Sequence, residues 1–113
     1  GTLEEGESLG ECAVRELAEE AGLTVRLEKL LYVGDLITDT RQVMDHFFLA
    51  SYVDGPLHWG PPYPENIDAI ALIPREQFAH LAVRPEAVHA LACRDWALDG
   101  FASREGHYLG RYA

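Results

Sequence analysis

The stretch that decides the fold is GTLEEGESLGECAVRELAEEAGL, Gly1 to Leu23. Its second half brings three carboxylates, Glu16, Glu19 and Glu20, to one face of a helix. Residues at i, i+3 and i+4 are neighbours on a helix surface. Like-charged neighbours at these spacings destabilise a helix by about 0.2–0.5 kcal/mol per pair, and negative charge in the last turns also opposes the macrodipole. A sequence that breaks a local rule in this way points to a functional site. Hard oxygen donors gathered on a rigid element are what Mg²⁺ or Mn²⁺ requires.

The flanking residues support the helix. Ser8 followed three residues later by Glu11 is a capping-box pattern, and Gly22 stands where a left-handed C′ residue closes a helix. The length between them is about three and a half turns. Leu9, Ala13, Leu17 and Ala21 recur every fourth position and are expected to form the buried stripe. Arg15 lies four residues from both Glu11 and Glu19 and within reach of Glu7 if the preceding loop folds back, so it can fix a carboxylate by bidentate bonding. A glutamate-rich helix can also be a plain solvated face. Such a face intersperses lysines for support, whereas Arg15 is the only cation between Glu11 and Gly22.

With the spacing Gly, five residues, Glu, seven residues, Arg-Glu-Leu-x-Glu-Glu-x-Gly-Leu, the stretch resembles the Nudix box. The match runs through Gly1, Glu7, Arg15, Glu16, Leu17, Glu19, Glu20, Gly22 and Leu23, about a fifth of the chain. The resemblance implies that Glu16, Glu19 and Glu20 ligate Mg²⁺ or Mn²⁺, with Glu7 and Arg15 as their orienting pair. It also implies strands ahead of the box and a metal-ligating backbone carbonyl just before its first glycine. Because the sequence opens on that glycine, residues 1–113 are expected to be a single Nudix domain that forms the C-terminal portion of a longer protein, with the N-terminal strands absent.

Composition sets outer bounds. The chain has 113 residues, 48% of them hydrophobic and 10% aromatic, which suits one globular domain with a core. A formal charge of -10 with no basic run argues against electrostatic binding to a nucleic-acid duplex or an anionic membrane. An anionic substrate then needs a metal to meet it. Cys12 and Cys93 fall in predicted helices without metal-binding spacing and read as small apolar side chains. No run has the apolar length of a membrane helix and no signal peptide opens the sequence, so a cytoplasmic location is expected.

Beyond the box, Leu27–Ile37 and Gln42–Val53 are two β-prone runs joined by Thr38-Asp39-Thr40-Arg41, which predicts a hairpin ended by Asp54-Gly55. Pro56, Pro61, Pro62 and Pro64 mark an irregular loop, followed by a short strand expected at Ala69–Ile73. Pro74–Phe78 begins a short helical segment. Pro85 opens a longer helix to Leu98, with Val88, Leu91, Ala92 and Trp96 on one face and Gly100 ending it. The tail from Phe101 to Ala113 has three readings: docking on the sheet, docking on a second subunit to give a homodimer, or mobility. Together these elements predict an α/β/α sandwich around a mixed β-sheet, with the box helix on one side and the Pro85–Leu98 helix on the other.

In many Nudix enzymes a downstream glutamate binds metal or acts as general base. Glu65 at the end of the Pro-rich loop is the candidate here, with Asp68 as its neighbouring alternative. Trp59 and Tyr63 can stack on a base or pack under the loop. The five histidines are scattered and take no catalytic role. The resemblance implies a metal-dependent hydrolase that cleaves the diphosphate of a nucleoside diphosphate linked to another moiety, with Glu19 or Glu65 as base. The alternative is a Nudix-like domain that senses a nucleotide without cleaving it. Thr24–His46 lacks the proline of many ADP-ribose members and carries only Tyr32, close to the box, where dinucleoside-polyphosphate members have a more distant tyrosine. A capped RNA end remains compatible with the chemistry.

Overall fold

The computed structural model describes residues 3–113 and has the order α1 (Leu9–Ala21), β1 (Thr24–Ile37), β2 (Gln42–Asp54), α2 (Arg75–Phe78), α3 (Glu86–Asp99) and β3 (His107–Tyr112). The first glycine of the box, Gly1, lies outside the described residues. The strands form one sheet in the order β2-β1-β3. A four-residue link can join β1 and β2 only as an antiparallel hairpin, and the Thr38 N–H closes it by donating to the Arg41 carbonyl at 2.8 Å. Because β3 pairs parallel with β1, the sheet is mixed and the fold is α/β, as expected. No helix among the described residues is long and apolar enough to cross a membrane.

The chain divides into two compact units, one of Gly1–Glu28 with Ala50–Leu72 and one of Lys29–Leu49 with Ile73–Ala113. In the first, both bonds of the α1 capping box are made. The Glu11 N–H donates to Ser8 Oγ at 3.1 Å, and the Ser8 N–H donates to Glu11 Oε1 at 2.9 Å. Gly22 ends α1 at φ 69°, its N–H on the Ala18 carbonyl at 2.9 Å. The expected stripe is only partly correct. Ala21 is buried and Ala13 and Leu17 are half-buried, but Leu9 in the first turn is exposed and Cys12 is buried in its place. The strand expected at Ala69–Ile73 does not form, and all but Ile70 of that run are exposed. Apolar composition favours a strand only where a neighbouring strand completes its hydrogen bonds, and among the described residues none pairs with this run.

The second unit holds a core of Leu31, Tyr32, Val88 and Phe101, flanked by Phe47, Leu49, Leu91 and Trp96. The tail takes the first of its three readings, since its last residues form β3 on β1. The register runs Val33 to Tyr108 and then Asp35 to Arg111, so β3 carries one extra residue where Gly110 sits at φ 76°. Gly34 is required opposite it, because a Cβ there would lie 2.5 Å from the Tyr112 ring. The Tyr112 hydroxyl donates to Asp45 Oδ2 at 2.9 Å, and burial with this carboxylate pushes its phenol up to about 12.

A polar trio stands inside that core. The Tyr32 hydroxyl donates to Asp95 Oδ2 at 2.5 Å, and Arg104 grips the same carboxylate through Nε at 2.8 Å and Nη2 at 3.2 Å. Asp95 is 5% exposed and Tyr32 1%. The Arg104 guanidinium holds the Asp95 carboxyl below the ordinary carboxylate range, aided by the Tyr32 hydroxyl. A carboxyl depressed by folding adds stability above its unfolded value, and that contribution is lost as pH falls through the folded value. Tyr32→Phe is expected to destabilise by about 1.5–3 kcal/mol, the range for a hydrogen bond to a charged group. Asp95→Asn is expected to lower the melting temperature at neutral pH and to flatten its decline on acidification. Thermal melts across pH 3–7 check both; an unchanged acid arm in Asp95→Asn would contradict the assignment.

Candidate active site

Within the first unit, α1 and the turn before it gather carboxylates around one guanidinium. Arg15 binds Glu7 in bidentate fashion, Nε to Oε2 at 2.8 Å and Nη2 to Oε1 at 3.1 Å. Its Nη1 reaches both oxygens of Glu19 at 3.2 and 3.1 Å, its Nη2 reaches Glu16 Oε1 at 3.4 Å, and Glu4 lies 3.7 Å away. This arrangement follows from helix spacing for Glu19, one turn on, and from the folded-back loop for Glu7. The loop is closed by the Glu7 N–H on the Glu4 carbonyl at 3.0 Å. Glu7 is the most enclosed of the four partners, and its bond to Arg15 holds its carboxyl below the usual carboxylate range. The same bond raises Arg15 further above its ordinary value, so the guanidinium is permanently charged.

The three box carboxylates differ in their engagement. Glu16 is largely enclosed beside Arg15, Glu19 is 58% exposed though bonded to the guanidinium, and Glu20 is exposed on the same flank. Among the described residues no three His, Cys, Asp or Glu side chains converge as a metal cluster. The donor chemistry nevertheless suits a hard divalent ion: these are carboxylate oxygens at i, i+3 and i+4 on a rigid, doubly capped helix.

Glu65 is exposed in the turn closed by the Ile67 N–H on the Pro64 carbonyl at 3.1 Å, where Asn66 takes φ 68°. Asp68 is exposed just beyond it. The Trp59 indole N–H donates to the Ala21 carbonyl at 2.7 Å, so this half-buried side chain is tied to the end of α1. Neither the Trp59 bond nor the part of Glu4 was foreseen from sequence. Glu4 stands at no helical spacing from Arg15, and an indole donor has no sequence signal for its acceptor.

The model of the NUDIX domain matches residues 1–92. The chain belongs to the NUDIX family. Among solved structures it is similar to a NUDIX hydrolase from Nitrosomonas europaea, with a TM-score of 0.63 and 24% identity over 99% of this chain. At that identity the likeness is one of fold. The NUDIX chain spans 60% of the length of that neighbour. No curated protein matches it.

Replacing Arg15 by Met leaves Glu4, Glu7, Glu16 and Glu19 facing one another without their shared cation. The variant is expected to melt at lower temperature than wild type in dilute buffer. The deficit should shrink at about 1 M salt, where the Debye length is about 3 Å. A deficit independent of salt would show that Arg15 acts by packing alone.

Proposed function

We propose that this NUDIX chain is a divalent-metal-dependent hydrolase that cleaves the diphosphate linkage of a nucleoside diphosphate joined to another moiety. The observation that carries the reading is the carboxylate-bearing helix α1 with its bidentate Arg15–Glu7 pair. In this reading Glu16, Glu19 and Glu20 hold Mg²⁺ or Mn²⁺. When bound, the ion supplies Lewis-acid neutralisation of the diphosphate oxygens. The chain's own residues do the rest. Arg15 keeps Glu7 fixed and restrains the rotamers of Glu16 and Glu19, so the donors lose little freedom on binding. Glu65, exposed and outside the helix, accepts the proton of the attacking water. Glu19 is the alternative base, but it is the poorer one while it is committed to Arg15 or to metal.

Residues 1–113 are proposed to work as one domain, since the family match runs through segments of both units. A reducing compartment such as the cytoplasm is supported by two free cysteines, Cys12 and Cys93. The reading is tested by mass-spectrometric product analysis with Mg²⁺ on nucleoside triphosphates, nucleotide sugars, dinucleoside polyphosphates and dinucleotide cofactors. Cleavage within a diphosphate is expected, with kcat reduced about 100-fold or more in Glu19→Gln, since a lost ligand removes several kcal/mol of charge stabilisation. Metal-dependent binding of a nucleotide without turnover would replace the hydrolase by a nucleotide sensor.

A further inference from the structure

The carbonyl end of α1 is an unfavourable place for the charges it carries. Glu19 and Glu20 stand in the last turn, which itself holds no basic residue, so the terminal carbonyls and the carboxylates add fields of the same sign. Donors are therefore valuable there. The loop after β2 supplies one, because the Trp59 indole N–H bonds the Ala21 carbonyl at 2.7 Å from 38 residues away.

The root of the same loop is pressed on the same spot. A Cβ at Gly55 would sit 2.5 Å from the Gly22 carbonyl oxygen, and the Pro56 ring lies 3.5 Å from where a Cβ on Gly22 would be. The Tyr52 hydroxyl donates to the Gly55 carbonyl at 2.7 Å and fixes that root. From Trp59 the chain runs Gly60-Pro61-Pro62-Tyr63-Pro64 to Glu65. Three of these five spacers have φ locked by the proline ring, so little freedom separates the indole anchor from the carboxylate. The turn that follows is closed by the Ile67 N–H on Pro64.

We propose that Trp59 is a positioning residue, whose indole N–H, by anchoring the stiff Pro61–Pro64 run to the end of α1, holds Glu65 in register with the box carboxylates. This rests on the hydrolase reading for its consequence, but not for its geometry. The indole acts through Glu65 and not on the substrate.

The test is Trp59→Phe, which keeps an aromatic ring and removes the donor, combined with Glu65→Gln in a double-mutant cycle. Trp59→Phe is expected to lower kcat about tenfold, the equivalent of one hydrogen bond of about 1.4 kcal/mol, with KM little changed. In the Trp59→Phe background Glu65→Gln should cost much less than in wild type. A merely structural role would lower the melting temperature while leaving kcat of the folded enzyme and the cost of Glu65→Gln unchanged, and that result overturns the proposal.

Amide hydrogen exchange separates the two readings. Faster exchange at Asn66 and Ile67 in Trp59→Phe, with Glu11–Leu17 of α1 unaltered, is the expected result whether or not the wild type hydrolyses any substrate. No turnover by wild type, together with that exchange pattern, would remove the hydrolase and keep the anchor. Unchanged exchange at both residues would remove the anchor.

Discussion

A helix that displays carboxylates at i, i+3 and i+4 must be held by forces other than its own propensity, and in this chain the guanidinium of Arg15 is the centre of them. It donates to Glu7, Glu16 and Glu19, with Glu4 close by, and so turns mutual repulsion into a connected set of ion pairs. The ends of α1 are secured separately, by the reciprocal Ser8–Glu11 bonds at one end and by Gly22 and the Trp59 indole at the other. Each individual bond at the surface is modest. Their joint effect is to keep an acidic surface helical and pre-shaped while its outer carboxylates stay open to solvent.

The second unit solves a different problem. Its core is small, built among the described residues on Leu31, Tyr32, Val88 and Phe101, yet it admits a carboxylate. Asp95 is tolerated because Arg104 and Tyr32 together satisfy both of its oxygens. The trio joins β1, α3 and the segment before β3, which are the three pieces that the β3 pairing must bring together. Tyr112, packed on Gly34 and bonded to Asp45, secures the far end of β3.

How much of this could be read in advance depended on how local each feature was. The capping box, the Gly22 stop, the hairpin around Thr38–Arg41 and the helix opened by Pro85 all rest on contacts within a few residues, and they appear where their residue types place them. The Arg15–Glu7 pair was legible on the condition that the preceding loop folds back, and the family resemblance named it as a pair. Nothing in the sequence singles out Asp95, since its partners Tyr32 and Arg104 are 63 and 9 residues away and neither spacing is periodic. The strand at His107–Tyr112 was hidden for a related reason: parallel pairing across such a separation has no turn to announce it. Ala69–Ile73 erred in the opposite direction, with strand-like composition and no partner strand among the described residues. The bond of Trp59 to α1 belongs with Asp95, a single long-range contact that no pattern encodes.

The claim on which the account turns is that α1 is a metal-binding surface whose donors Arg15 holds ready. The most direct measurement is an anomalous-diffraction map from crystals of the protein soaked in Mn²⁺. The account predicts a peak within coordination distance of Glu16, Glu19 and Glu20, with Glu19 released from Arg15 and the Arg15–Glu7 pair intact. An empty map at these carboxylates in folded, Mn²⁺-saturated crystals, with Glu19 still on Arg15, would contradict it.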